Sequence, residues 1–236
     1  MSPHRRIALI AGSLYLLTVV TSIPALALKE PSLNTPASLT SPGGETALLW
    51  AVVLELILAA ACIGTAVVLF PLVRRQSEIA ALGFVGARIT EAVLVVLGVV
   101  AMLSLVAVAN GSSLASPDSL DAANTALVAV HDAAFLLGPG LIPAANALLL
   151  GSVLYRSRLV PRILPLVGFI GAPLLIASVI ATLFGAIDQV SPLAGIAALP
   201  IALWEISLGV WLVVKGFSPE ALERLDHRTP EAIAVR

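Results

Sequence analysis

Six long apolar runs constrain this chain more than any other feature of its sequence. Each run is long enough to cross a hydrocarbon core of about 30 Å as an α-helix, which takes about 20 residues. The runs cover roughly Ile7–Leu28, Ala47–Val73, Ile79–Ala109, Asn124–Tyr155, Ile163–Ala186 and Leu193–Val214. They are continuous and lack the period-two alternation of a membrane β-barrel. The pattern predicts an all-α, polytopic membrane protein with six transmembrane helices in a bundle.

Composition excludes the main soluble classes. Of the 236 residues, 59% are hydrophobic and 11% are charged, whereas a soluble domain carries about 25% charged residues. The single cysteine, Cys62, excludes a disulfide framework and a cysteine-based metal cluster. A net charge of −1 gives no electrostatic footprint for nucleic acid. The lipid bilayer is the expected partner, and the oligomeric state stays open.

The basic residues predict the orientation. Lys29 is the only lysine or arginine expected on one side of the membrane, and Arg88 lies within a span. The other side carries eleven: Arg5, Arg6, Arg74, Arg75, Arg156, Arg158, Arg162, Lys215, Arg224, Arg228 and Arg236. Because basic residues collect in cytoplasmic loops, both termini are predicted to be cytoplasmic. We expect one domain over residues 1–217 and a short cytoplasmic tail over 218–236.

The first run has a second interpretation. Arg5 and Arg6 precede an apolar stretch that ends near Ala25-Leu26-Ala27, which is typical of a signal peptide with a small-residue cleavage site. The run of about 22 residues is longer than the usual apolar core of such a peptide. A retained first helix is therefore favoured.

Ionisable residues inside the spans are the candidates for function. A charge at the bilayer centre costs about 2.5–3.5 kcal/mol or more, so such groups face the bundle interior, a partner or a wet cavity. At 1.5 Å per residue, Glu55, Glu91 and Asp132 lie about 12 Å from the outer face, and Glu205 lies about 18 Å from it. The sequence therefore predicts one polar layer. The candidate pocket residues are Glu55, Arg88, Glu91, His131, Asp132, Asn146 and Glu205.

The charges of this layer do not balance. Arg88 and Glu91 are three residues apart on one helix face and can pair. Of the remaining carboxylates on Glu55, Asp132 and Glu205, at least one is then expected to be protonated or to hold a cation. His131 and Asp132 are adjacent, so they are not expected to face each other directly. Each group also has a structural interpretation, as an ion pair or hydrogen bond that joins helices.

The fourth run carries a break signal. Gly138-Pro139-Gly140 and Pro143 follow His131 and Asp132 closely, and such residues kink or unwind a helix. Irregular backbone at membrane depth is found where it lines a cavity or is buried. No zinc-protease, phosphate-loop or nucleophile-elbow motif is present in the sequence. A metal among His131, Asp132 and the glutamates is a weaker alternative, and no cofactor is predicted.

Several segments together resemble the domain of unknown function 4386 family, which consists of bacterial integral membrane proteins. The resemblance spans Arg6 to Phe217. It rests on AGSLYL at 11–16, ARITEA at 87–92, His131-Asp132 with Phe135, GPG at 138–140, NALL at 146–149, LYRSRLVPR at 154–162, LPIALWE at 199–205 and WLVVKGF at 211–217. The resemblance implies a six-helix protein and carries no activity onto any residue.

These observations leave three functional hypotheses. The first is a binding or transport-like protein of the bacterial inner membrane, with an outward pocket for a small polar or cationic solute. The second is an intramembrane enzyme, acting on a lipid or dependent on a metal, that uses His131 and Asp132. The third is a structural or regulatory subunit whose charges lock its helices together.

Overall fold

The computed structural model describes residues 1–111 and 116–225. Within these ranges the chain forms seven long α-helices and one short 3-10 helix, η1, over Pro36–Thr40. The α-helices are α1 Pro3–Asn34, α2 Gly44–Val73, α3 Glu78–Gly111, α4 Pro117–Leu137, α5 Ile142–Ser157, α6 Ile163–Leu183 and α7 Pro192–Val214. The described part of the chain is otherwise turns and a helical stretch at 219–225.

Six segments of this part are long and apolar enough to cross a membrane, with α4 and α5 together forming one of them over Pro117–Ser157. The six predicted spans are therefore confirmed as helices. Two boundaries differ clearly from the prediction. α1 continues past Leu28 to Asn34, and α4 begins at Pro117 instead of Asn124. Hydropathy identifies the apolar part of a helix, whereas these two helices continue for further turns through polar sequence.

The helices form a closed ring. α1 packs against α2, α2 against α3, α3 against α5, α5 against α6, α6 against α7 and α7 against α1, while α4 packs chiefly against α3. Arg5 near the start of α1 donates hydrogen bonds to the carbonyls of Leu212 (2.9 Å) and Val213 (2.6 Å) in the last turn of α7. These bonds satisfy carbonyls that have no partner within the helix. α1 therefore begins and α7 ends at one end of the bundle, the terminus end, and η1 lies at the opposite end, the η1 end.

The predicted break in the fourth span is present between α4 and α5. Gly138–Leu141 form a turn, with Gly140 N bonded to Phe135 O at 2.9 Å. A Cβ atom on Gly140 would lie 2.3 Å from Leu136 O, and one on Gly138 would lie 2.7 Å from Leu94 Cβ. Only glycine fits such close approaches. The break lets α4 pack chiefly on α3 while α5 packs on α3, α6 and α7.

The helices differ in length, which creates a step at the η1 end. α3 has 34 residues and is about 51 Å long, whereas α6 has 21 and is about 32 Å long. Gln189 in the α6–α7 turn donates a hydrogen bond to Asp132 O at 3.1 Å, part-way along α4. α1 to α4 therefore project past the α6–α7 turn. A separate apolar cluster around Leu48 and Met102 fills this projecting part.

Glycines bring α1 and α7 into close contact at the point where the ring closes. A Cβ atom on Gly12 would lie 2.7 Å from Gly209 O and 2.9 Å from Leu212 Cβ. Small residues at such crossings let helix backbones approach in membranes. By contrast, Gly86 on α3 has open space where its Cβ atom would lie.

We expect Gly12→Ala to destabilise the protein by about 1–3 kcal/mol, because the methyl group would force the two backbones apart. Gly86→Ala is the matched control and should leave stability unchanged or slightly raised, since alanine favours helix. Thermal unfolding of the two purified variants in one detergent checks the prediction. Equal melting temperatures for the two variants would show that α1 and α7 can move apart at Gly12 without loss of stability.

Candidate functional site

The structure places the predicted pocket residues at two levels and not in one layer. Glu55 and His131 lie beside Gly98, since a Cβ there would be 3.9 Å from Glu55 Oε2 and 3.5 Å from His131 Cδ2. Arg88 and Glu91 lie seven to ten residues earlier on α3, about 10–15 Å closer to the terminus end. The expectation of a single layer was wrong. The depth of each residue was counted from the predicted end of its span, but the helices end at different heights along the bundle axis, so depths on different helices cannot be compared in this way.

The level nearer the terminus end is an ion-pair network centred on Arg88. Its Nη1 atom lies 3.0 Å from Glu91 Oε2, and its Nη2 atom lies 3.0 Å from Glu205 Oε1. Asn146 Nδ2 donates a hydrogen bond to the same oxygen of Glu91 at 2.7 Å. The i,i+3 pair predicted from the sequence is thus present, and the guanidinium also reaches across to α7.

Two further residues complete this central network and were not predicted. The Arg88 Cζ atom lies 4.9 Å from the centre of the Tyr15 ring, a favourable cation–π distance. Arg88 Nη1 also lies 3.6 Å from Cys62 Sγ. With Tyr15 on α1, Cys62 on α2, Asn146 on α5 and Glu205 on α7, one arginine contacts or links groups from five helices. Tyr15 lies within the AGSLYL segment, but no spacing rule connects it with Arg88.

The central network is well suited to holding helices together. The Arg88 side chain is 1% exposed, and Glu91 and Glu205 are 7% and 15% exposed. In such surroundings a charge is stable only while its partners stay in place. Within the described residues, Arg88 Nε and Asn146 Oδ1 make no hydrogen bond. One guanidinium faces two carboxyl groups, so the network carries a surplus negative charge unless it takes up a proton.

The second level is built around a buried ion pair between Lys29 and Glu55. Lys29 was predicted to lie outside the membrane on the connector after the first span. It is instead 2% exposed, because α1 continues for five residues beyond it. Its Nζ atom also lies 4.4 Å from the centre of the Phe135 ring. The lysine is thus held between a carboxylate from α2 and an aromatic ring from α4.

His131 and Asp132 meet at the same level. Their Nδ1 and Oδ1 atoms are 3.0 Å apart, so the expectation that these neighbours would not face each other was wrong. The two side chains turn toward each other around the helix surface. The imidazole is 2% exposed, whereas the Asp132 carboxylate is 52% exposed. The Phe135 ring stacks on His131, with the ring centres 6.1 Å apart.

These residues line a cavity of about 420 Å³ beside the α6–α7 turn, which we call the acidic cavity. Its charged or ionisable lining residues are Lys29, Glu30, His131, Asp132 and Asp188. Asp132 and Asp188 are exposed, so the cavity reaches the protein surface. Because Glu55 neutralises Lys29, three carboxylates remain without a lysine or arginine on the lining. The acidic cavity is therefore an environment for positive charge.

A second, mostly apolar cavity of about 220 Å³ adjoins the first. The two share four lining residues, namely Leu26, Phe135, Gln189 and Val190. The apolar cavity also includes Pro139 and Gly140 of the α4–α5 break, along with Leu175 and Val179 of α6. The break in the fourth span thus supplies a wall of this cavity, as irregular backbone often does within a membrane.

A metal site receives no geometric support. In the two ranges that the structure describes, no group of three or more histidine, cysteine, aspartate or glutamate side chains is placed to hold a metal ion. The histidine at the acidic cavity has one carboxylate neighbour within hydrogen-bond distance, Asp132. A zinc or similar centre needs three or four such ligands.

We expect Arg88→Ala to destabilise the folded protein by about 3–5 kcal/mol, because it leaves Glu91 and Glu205 buried without a positive partner. Arg88→Lys should lie between this variant and the wild type, since an ammonium keeps the charge but lacks the planar fork. Arg6→Ala, at an exposed position of α1, is the matched control. Unfolding of the purified proteins in a denaturing detergent series measures the order of their stabilities. An equal loss of stability in Arg6→Ala and Arg88→Ala would contradict the prediction.

The Lys29–Glu55 pair allows a double-mutant test. Lys29→Met and Glu55→Gln should each destabilise the protein by roughly 3 kcal/mol or more, because each leaves one buried group without its partner. The double variant should lose less than the sum of the two, since it removes both charges together. The same unfolding assay measures the coupling. Additive losses would mean that the two charges do not depend on each other.

Comparison with known proteins identifies a family and gives no activity. No curated protein and no solved structure matches the chain. The family model described as "Domain of unknown function (DUF4386)" matches residues 10–216, which confirms the resemblance seen in the sequence. This multi-pass membrane protein therefore belongs to the DUF4386 family.

Proposed function

We propose that this protein binds a small organic cation in the acidic cavity, as a binding or transport-like protein of the membrane. The single observation that carries the proposal is the surplus of carboxylates on the lining. Glu30, Asp132 and Asp188 have no lysine or arginine to balance them there, because Lys29 is paired with Glu55. A cavity with one sign of charge and low-dielectric walls concentrates ions of the opposite sign.

The size and the walls of the cavity favour an organic ligand. Its volume of about 420 Å³ lies within the range of about 300–1,000 Å³ for small-molecule sites. The adjoining apolar cavity can accept a hydrocarbon portion of the same molecule. Phe135 lies between the two and already contacts one cation, that of Lys29. The ligand class is therefore an amine or quaternary ammonium with a short apolar part.

The distribution of the basic residues supports an orientation for the site. We propose that the terminus end is cytoplasmic and that the acidic cavity lies on the outer side of a bacterial inner membrane. In this arrangement the site receives its ligand from outside the cell. The α4–α5 break beside the cavity is the kind of feature that transporters use at binding sites.

Matched ammonium and carboxylate probes test the proposal. Calorimetric titration of the protein in nanodiscs, with empty nanodiscs subtracted, should show hexylammonium binding more tightly than methylammonium. Hexanoate, which has the same chain and the opposite charge, should not bind. Asp132→Asn and Asp188→Asn should each weaken hexylammonium binding roughly threefold to fivefold, as expected for partly exposed charges.

Asp118→Asn is the control, since Asp118 lies on the same helix and does not line the acidic cavity. It should leave the affinity unchanged. Equal losses at Asp118 and Asp132 would assign the effect to general surface charge. Binding of hexanoate as tight as that of hexylammonium would contradict the proposal.

The central network supports a different role, that of a structural lock. Its acids are paired with Arg88, and none of them lines the acidic cavity. A protein whose charges serve only to hold helices together would show the stability effects of Arg88 substitution without any cation binding. Calorimetric titration of the wild-type protein with hexylammonium therefore separates the two roles.

A further inference from the structure

A third cavity lies at the terminus end and has the opposite charge. It has a volume of about 700 Å³ and forms where α5 ends, α6 begins and α7 gives way to the helical stretch at 219–225. Four basic side chains line it, together with one acidic side chain, Glu220. The basic residues are Arg158, Arg162, Lys215 and Arg224. We call this site the basic cavity, and it carries a formal surplus of three positive charges.

Most of these cations are available to a ligand. Arg158, Lys215 and Arg224 form no ion pair with another residue in the described ranges 1–111 and 116–225. Arg162 stacks over Tyr155 at 4.8 Å and donates a hydrogen bond to Tyr155 O at 3.3 Å. A guanidinium held in this way is oriented in advance of binding, which lowers the entropy cost of forming further hydrogen bonds.

The backbone at Arg158 is unusual. Its φ is 57° and its ψ is 29°, which is the left-handed region, and it ends α5 as the capping residue. Among the described residues it is the only non-glycine with a positive φ. Glycine is the common residue at such a helix end, and other residues incur a cost of roughly 1 kcal/mol or more there. Arg158 thus ends α5 at the lining of the basic cavity.

The floor of the basic cavity is apolar and firmly built. Leu159, Val160 and Phe217 are buried, while Trp211 of α7 is half-buried. Ser218 N donates a hydrogen bond to Leu159 O at 3.0 Å, which joins the chain after α7 to the α5–α6 loop. The stretch at 219–225 is capped by Ser218 and packs inward through Ala221 and Leu225.

The position of the cavity indicates which class of ligand it binds. The ends of α5 and α7 and the start of α6 lie together at the terminus end of helices that are long and apolar enough to cross a membrane. In a bilayer crossed by these helices, we expect the basic side chains at the depth of the lipid headgroups. Basic pockets between transmembrane helices bind anionic headgroups. The apolar floor and Trp211 suit the glycerol and upper acyl region below a phosphate. We infer that the basic cavity binds the phosphate headgroup of an anionic phospholipid.

Two triple variants of equal charge test this inference. The first is Arg158→Gln/Lys215→Gln/Arg224→Gln, which removes three cavity cations. The second is Arg6→Gln/Arg74→Gln/Arg156→Gln, which removes three basic residues from the same end of the bundle that do not line the cavity. Native mass spectrometry of the purified proteins, titrated with phosphatidylglycerol or with phosphatidylcholine of the same acyl chains, measures binding.

The wild type and the second variant should bind phosphatidylglycerol in preference to phosphatidylcholine. The first variant should lose at least about tenfold in phosphatidylglycerol affinity, given the contribution of each basic residue near a lipid surface. The conservative variant Lys215→Arg/Arg224→Lys should keep the preference. Thermal unfolding of each variant shows that it is folded, and single Lys215→Gln and Arg224→Gln variants should show smaller losses in the same direction.

Three results would overturn the inference. One is an equal loss in the two triple variants, which would indicate general attraction to the basic end. Another is equal binding of phosphatidylglycerol and phosphatidylcholine by the wild type. The third is unchanged phosphatidylglycerol binding by the first triple variant, together with tight binding of inorganic phosphate by the wild type in detergent. That result would assign the site to a free anion.

Discussion

The cost of placing charge inside a hydrocarbon layer governs this structure. Arg88, about a third of the way along α3, is acceptable there only because groups from four other helices surround it, among them Glu205 of α7 and Tyr15 of α1. That requirement constrains the rotation of the five helices that supply these groups, α1, α2, α3, α5 and α7. It also favours a closed ring, since α1 and α7 must both reach the same guanidinium. The close contact between Gly12 of α1 and Gly209 of α7 lets these two helices approach each other closely enough for both to reach Arg88.

Charge is used in three different ways along the bundle axis. In the central network, opposite charges are paired and inaccessible, so they contribute to cohesion. In the acidic cavity one pair is buried, while the carboxylates of Glu30, Asp132 and Asp188 stay near the surface. In the basic cavity the cations stand on an apolar floor at the helix ends. Accessibility, more than residue type, therefore separates the groups that hold the fold from those that can meet a ligand.

The sequence is a good guide to what depends on local pattern. Continuous apolar runs identify the six spans, Gly138-Pro139-Gly140 identifies the break, and the spacing of Arg88 and Glu91 identifies their pair. It is a poor guide to partners on different helices, because those depend on the relative height and rotation of helices that hydropathy does not encode. Lys29 illustrates the limit: a few extra helical residues move it from an expected loop to the bundle interior. The cytoplasmic location of the termini stays a prediction.

Under the proposed function, the unequal helix lengths would determine how a cation reaches the acidic cavity. A bilayer fitted to α6 and α7, which have 21 and 23 residues, has its surface near the turn that carries Asp188, while α1 to α4 continue into water. The entrance then opens at the height of the headgroups, beside a wall of protruding helix. A positively charged molecule that is already adsorbed on an anionic leaflet would arrive by sliding within two dimensions. Its local concentration there exceeds that in bulk solution.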